Sequence, residues 1–156
     1  MSLEKVQKYF KQYGMNDRII VLDESSATVD LAAHALHTEP AQIAKTLSFM
    51  VGDQPILIVM EGTARVDNHK YKEFFHKKAK MMSGEELEKY VGHKAGGVCP
   101  FGIPEGTDVY LDESLKKFKI VFPACGSGNS AIELTIPELE KYSNFKVWID
   151  VTKEPE

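Results

Sequence analysis

The sequence predicts a single α+β domain with helices around a curved sheet of mixed or antiparallel strands. Three observations carry this expectation. Helical and strand-like stretches are mixed without the regular βαβ rhythm of a doubly wound fold, and no internal repeat is present. The chain's 156 residues, 43% of them hydrophobic, fit one core better than two marginal ones.

The elements follow in order. "LEKVQKYFKQYG" spaces Leu3, Val6, Phe10 and Tyr13 at helical intervals and stops at Gly14, a normal C-terminal signal. "RIIVLD" reads as a strand. "SSATVDLAAHALHTE" reads as a second helix, capped by Ser26 or Thr28, with Asp30 in the first turn and a buried stripe of Val29, Ala32, Ala33 and Leu36. "EPAQIAKT" predicts a short third helix opened by Pro40, with Lys45 in its last turn before the apolar run "LSFMV". "GDQP" is a turn by composition, so "LSFMV" and "ILIVME" form a hairpin of buried strands.

Between Arg65 and Lys80 the six basic residues Arg65, Lys70, Lys72, Lys77, Lys78 and Lys80 outnumber Asp67 and Glu73, a local charge of +4. At helical spacing Tyr71, Phe74 and Phe75 share one face, while Lys70, Lys72, His76 and Lys77 take the other. That basic face is either solvated or a phosphate-contacting surface. "GEELEKYVG" is a further short helix. "DVYLD", "KIVFPA" and "AIELT" read as strands, "PELEKYS" as a helix with Pro137 at its start, and "KVWIDV" as a last strand. The tail, residues 152–156, is expected to fray.

Composition narrows the function. No run approaches the roughly 18 to 20 apolar residues of a membrane span, and "MSLEKVQKYF" lacks the apolar core of a signal peptide, so a cytoplasmic protein is expected. Cys99 and Cys125 are too few for a disulfide framework. A net charge of −4 argues against indiscriminate nucleic-acid binding and leaves room for a local patch. His34, His37, His69, His76 and His93 show no zinc-site spacing with the cysteines, so they read as surface histidines and neither metal nor cofactor is expected.

The most unusual stretch is "GHKAGGVCPFGIP", Gly92 to Pro104, which holds four glycines and two prolines in thirteen positions. Such a segment is either a plain connection or the floor of a ligand site, where missing side chains let backbone amides approach an anion or a polarised carbonyl. Cys99 within it is either a nucleophile or a small loop residue, and no sequence feature supplies a histidine partner. Lys45 has an ordinary explanation too, as a cation at a helix C-terminus.

The order of four segments changes that weighting: "SATVDLAAHALHTEPAQIAKTLSF", "GTARVDNHKYKEFF", "GHKAGGVCPFGIP" and "VYLDESLKKFKIVFPACGSGNSAIELT". Over roughly residues 18–145 the chain resembles the YbaK/prolyl-tRNA synthetase editing-domain family, the aminoacyl-tRNA deacylases. The resemblance implies that residues 1–156 are one editing domain. It implies deacylation of mischarged tRNA, with tRNA for proline the leading carrier and alanine, cysteine, serine or threonine the amino acid removed. It matches Lys45 to the family's key lysine, Gly96 and Pro100 to a Gly-x-x-x-P element, and "CGSGNS" to a pocket loop. On this reading Lys45, Gly96, Gly97, Pro100 and Gly102 serve the reaction, Gly126, Ser127 and Asn129 meet the aminoacyl group, and Lys70, Lys72 and Lys77 hold tRNA. Water attacks the ester, with assistance from the substrate's own groups. Aminoacyl-tRNA is the expected partner, with an aminoacyl-tRNA synthetase as a further one. The alternative is a noncatalytic module of the same fold that binds a tRNA end, a nucleotide or an amino acid.

Overall fold

The computed structural model describes residues 2–154. Its centre is a curled, mixed six-stranded sheet. The first strands laid down are β1 (Ile19–Val21), β2 (Ile43–Val51), β3 (Gln54–Glu61) and β4 (Arg65–Val66). Next come β5 (Asp108–Asp112), β6 (Ile120–Pro123), β7 (Ser130–Ile132), β8 (Leu134–Thr135), β9 (Trp148–Ile149) and β10 (Thr152–Lys153). The main sheet runs β8-β6-β2-β3-β5-β9, with β1 paired to β7 and β4 to β10 outside it. β2 and β3 form the expected antiparallel hairpin, in register from Ala44↔Glu61 to Val51↔Gln54.

The run "ILIVM" in β3 is apolar throughout because the sheet is covered on both faces. Leu57 and Val59 point into a cluster with Val6, Phe10, Leu111 and Leu139. Ile56, Ile58 and Met60 point into a second cluster with Phe49, Tyr71 and Val151. Alternation along one strand thus divides the core in two.

The covering helices are α1 (Ser2–Lys11), α2 (Val29–Leu36), α3 (Asn68–Phe75), α4 (Gly84–Tyr90) and α5 (Ile136–Ser143). Their starts are written in local chemistry. Thr28 rather than Ser26 caps α2 through Leu31 N–H, Asp67 caps α3, and Ser83 and Thr135 open α4 and α5 with capping boxes completed by Glu86 and Glu138. On α2 the buried residues are Ala32 and Ala33, with Val29 and Leu36 half-buried.

Several expectations change. "EPAQIAKT" is not an α-helix: a single 3-10 turn at Pro40–Gln42 is followed at once by β2, so Lys45 lies in a strand. Pairing of Ile43 and Ala44 with Phe122 and Pro123 captures those residues for the sheet and removes the helix-end explanation of Lys45. "AIELT" is divided between β7, paired to β1, and β8, paired to β6. The last strand is short, and residues 152 and 153 are not frayed, because they pair with Val66 and Arg65. Residues 155 and 156 of the tail lie outside the described residues.

The carboxylate of Glu138 joins β1's approach to α5, accepting Arg18 Nη1 at 2.5 Å. That hydrogen bond holds its pKa down at about 2, against an ordinary value of 4.5. A depressed carboxyl pKa contributes stability above the unfolded value, lost as pH falls through the folded one. Glu138→Gln should therefore lower stability at neutral pH and flatten its decline between pH 4.5 and about 2, read by chemical unfolding across that range.

Candidate functional site

β2 and β6 touch only at Ile43↔Phe122 and Ala44↔Pro123. Further along the same edge of β2, Met82 N–H donates to Ser48 O at 3.1 Å. Between these two contacts the sheet opens, and a cleft of about 540 Å³ fills the gap. Lys45, Thr46 and Ser48 line one side, Ala95, Gly96 and Val98 another, Ser26–Val29 a third, and Ser130 and Ala131 close the end. The lysine and the glycine-rich loop, 51 positions apart in sequence, thus meet on one cleft.

Lys45 is half-buried, and its Nζ donates to Ala64 O at 2.6 Å. An ammonium carries three donors, so this contact leaves others for a ligand. Burial lowers the Lys45 pKa, the Glu61 charge opposes that shift, and Arg65 adds to it. Ser26 and Thr46 present buried hydroxyls that find no hydrogen-bond partner among the described residues, and both line the cleft. A buried hydroxyl left unpaired is costly, so each of these two is able to take a polar partner at the cleft.

The loop is built on backbone contact. Gly96 adopts φ +91°, a left-handed conformation that favours glycine, and turns the chain at the cleft wall. Gly97 is buried behind it, where its carbonyl accepts Gly126 N–H at 2.9 Å. A Cβ at Gly97 would lie 2.5 Å from the Gly126 carbonyl carbon and closer still to the Ser127 amide. The close approach of the two loops requires a residue without a side chain.

The remaining sequence candidates divide by place. Pro100 and Gly102 do not line this cleft: they border a separate hollow with Tyr9 and Ile103, and Gly102 backs onto the Lys5 carbonyl of α1. Gly126 backs onto Ser2 of the same helix. Ser127 and Asn129 stand behind the wall rather than on it. Ser127 Oγ shares a 2.6 Å hydrogen bond with Ser130 Oγ, and Asn129 Nδ2 donates to Leu22 O at 3.1 Å. Together with Ser26 N–H donating to Gly128 O at 2.7 Å, these contacts fasten residues 22–28 along the cleft. Ser130, Thr46 and Ser26 are the cleft residues that sequence reading missed. A lone hydroxyl in a strand or before a helix reads as a solubilising or capping group.

Lys70, Lys72 and Lys77 also part company. Lys70 Nζ is held by Asp150 at 3.1 Å and Thr152 O at 2.8 Å. Lys72 is exposed on α3, and exposed Lys77 lies beyond it near Gly52 at the hairpin tip. Seven positions along the chain separate Gly52 from Lys45, roughly 23 Å at a strand's rise.

Of the five histidines His93 is the exception to surface placement, being buried with Nε2 2.7 Å from Phe101 O. Burial pushes its pKa down. Cys99 is fully buried beside the same carbonyl, and burial pushes its thiol up to about 12. A thiol that stays protonated and faces the core is no nucleophile. Cys99→Ala is expected to retain activity within about tenfold, because every main-chain donor of the loop survives. Mass spectrometry of protein quenched during turnover should show no acyl adduct at Cys99; a trapped thioester would contradict this.

The profile of the aminoacyl-tRNA editing domain matches residues 23–142. The uncharacterized protein YwhH of Bacillus subtilis (strain 168) is 50% identical over 155 residues, covering 99% of each chain. A proline--tRNA ligase of Limosilactobacillus fermentum is 32% identical over 95 residues, which are 57% of this chain and 17% of the ligase. A crystal structure described as a candidate trans-editing enzyme for prolyl tRNA synthetase superposes with a TM-score of 0.87 at 27% identity, covering 97% of both chains.

Proposed function

Because the chain belongs to the aminoacyl-tRNA editing domain family, we propose that it hydrolyses the ester of mischarged aminoacyl-tRNA in trans. The substrate class is tRNA for proline carrying alanine, cysteine, serine or threonine, and the setting is the cytoplasm, where prolyl-tRNA synthetase would supply the errors. The observation that carries the reading is the meeting of Lys45 and Gly96 on one cleft with two unpartnered hydroxyls.

The chemistry follows from those groups. An aminoacyl ester is already activated, so hydrolysis needs a positioned water and relief of negative charge more than a covalent nucleophile. The Lys45 ammonium is the positive charge available on the cleft, and the donors it keeps beyond Ala64 face phosphate or oxyanion. The backbone of residues 95–98 forms the wall against which the ester lies. Ser26 and Thr46 hydroxyls accept or donate to the aminoacyl group. Pro100, Gly102, Gly126, Ser127 and Asn129 act one layer back, by holding the walls.

A panel of tRNAs mischarged with alanine, cysteine, serine or threonine tests the reading. Accelerated deacylation of at least one member, with proline on its own tRNA spared, is the expected result. Uniform spontaneous rates across the panel would leave a binding module. The exposed Lys72 and Lys77 are the better tRNA contacts, with Lys70 engaged internally. Charge reversal at Lys72 and Lys77 should weaken tRNA binding and flatten its salt dependence while sparing a minimal aminoacyl ester. An unchanged salt slope would show this face to be merely solvated.

A further inference from the structure

The turn that holds Lys45 is itself held by a buried carboxylate. Glu61 ends β3 and is 1% exposed. Its Oε1 accepts the Thr63 N–H at 3.1 Å and the Thr63 hydroxyl, and its other oxygen is paired with the Lys117 ammonium. Glu61 N–H donates to Ser114 Oγ at 3.1 Å, and Lys117 reaches on to Glu154 at 3.0 Å. The next residue, Gly62, is packed so closely that a Cβ there would lie 2.8 Å from Val29 Cγ1 and 3.0 Å from Ile43 O. Pinned at Glu61, Gly62 and Thr63, the turn delivers the Ala64 carbonyl to Lys45 Nζ at 2.6 Å.

We infer that Glu61, secured by Lys117, is a positioning residue for Lys45, acting through the Gly62–Ala64 turn and through its own negative charge. Burying the Glu61 carboxylate carries a desolvation cost that its half-exposed partner Lys117 offsets only in part, so the charge is weak evidence of a purely stabilising role. Here the carboxylate aligns the acceptor for the cleft lysine and opposes the loss of its proton. The charges that bear on Lys45 are Glu61 from the end of β3 and Arg65 from β4, one favouring the ammonium and one disfavouring it. Burial opposes ionisation of Glu61, but the hydrogen bonds from Lys117 and Thr63 outweigh it and hold the carboxyl below its ordinary value, so it is charged at neutral pH. The inference rests on Lys45 being the working cation of the proposed deacylase.

Two variants test it. Glu61→Gln keeps an acceptor for Thr63 but removes the charge, and it leaves an amide facing Lys117. Glu61→Gln combined with Lys117→Met removes that mismatch and guards against a folding defect. In each, Lys45 is titrated directly, by the pH dependence of its labelling with an amine-reactive reagent read by mass spectrometry. This readout needs neither substrate nor activity, so failure of the deacylase reading and failure of this inference are separate results. Lys45 should lose its proton at lower pH in both variants than in the parent protein. Deacylation should fall about tenfold at the alkaline end of its pH profile and less at the acid end, the alkaline limb moving to lower pH. Folded variants in which Lys45 titrates as in the parent protein would overturn the inference.

Discussion

Replacing Lys45 by alanine should cut deacylation by at least about tenfold, and by more if the lysine meets developing charge, while the protein stays folded. Lys45 lies in a strand whose residues Ala44 and Ser48 are buried, lines the cleft, and spends one hydrogen bond of its ammonium on Ala64. Loss of that charge-assisted bond to the buried Ala64 costs about 1.5–3 kcal/mol of stability, offset in part because a half-buried ammonium is removed with it. Removal of a positioned charge costs a few kcal/mol of transition-state stabilisation, and this loss appears in the rate of protein that is still folded. Lys45→Met separates charge from bulk: it keeps the stem packed on β2 and should be as inactive as the alanine variant. Single-turnover rates with thermal unfolding in parallel check both. A folded alanine variant of undiminished rate would remove Lys45 from the mechanism.

Gly97→Ala is expected to damage both stability and activity. The added methyl meets the main chain of Gly126 and Ser127, and neither can swing aside as a flexible side chain would. The hydrogen bond from Gly126 N–H to Gly97 O must lengthen or break, so residues 96–98 move off the 126–130 loop. Overpacking of this kind costs about 1–3 kcal/mol. Because the same shift moves the cleft wall at Gly96, activity should fall about tenfold or more even at temperatures where the variant is folded. Thermal unfolding and deacylation at low temperature distinguish the two losses. A variant with parent-like stability would mean that the loops are not in backbone contact.

The parts of this fold that were legible from sequence are those set by local chemistry. Thr28, one of two candidate caps, and Pro137 announce helices because a helix start needs only a few neighbouring residues, and the β2–β3 hairpin follows from two apolar runs around a short polar turn. The parts that were hidden depend on distant partners. Ile43 and Ala44 have helical neighbours in sequence and become strand only because Phe122 and Pro123 are there to pair with them. "AIELT" reads as one strand, yet Ser130–Ile132 and Leu134–Thr135 are claimed by different partners. Thr152 and Lys153 form a strand only against Val66 and Arg65.

The site divides in the same way. Lys45 and Gly96 stood out through resemblance, and the cleft brings them together. Pro100 and Gly102 share the loop's composition but face α1, since glycine serves close packing as readily as ligand approach. Glu61 gave no signal, because an acid after an apolar run reads as the solvated end of a strand. Its burial depends on Lys117, 56 positions away in sequence.

The central claim, that the cleft between Lys45 and Gly96 performs hydrolysis, is tested most directly by counting turnovers. Limiting protein is mixed with an excess of the mischarged tRNA that the panel selects, and released amino acid is measured against spontaneous hydrolysis. The account predicts many equivalents released per protein and a rate lost in Lys45→Ala. Tight tRNA binding with release at the spontaneous rate would contradict it and leave a cleft that holds the ester without cleaving it.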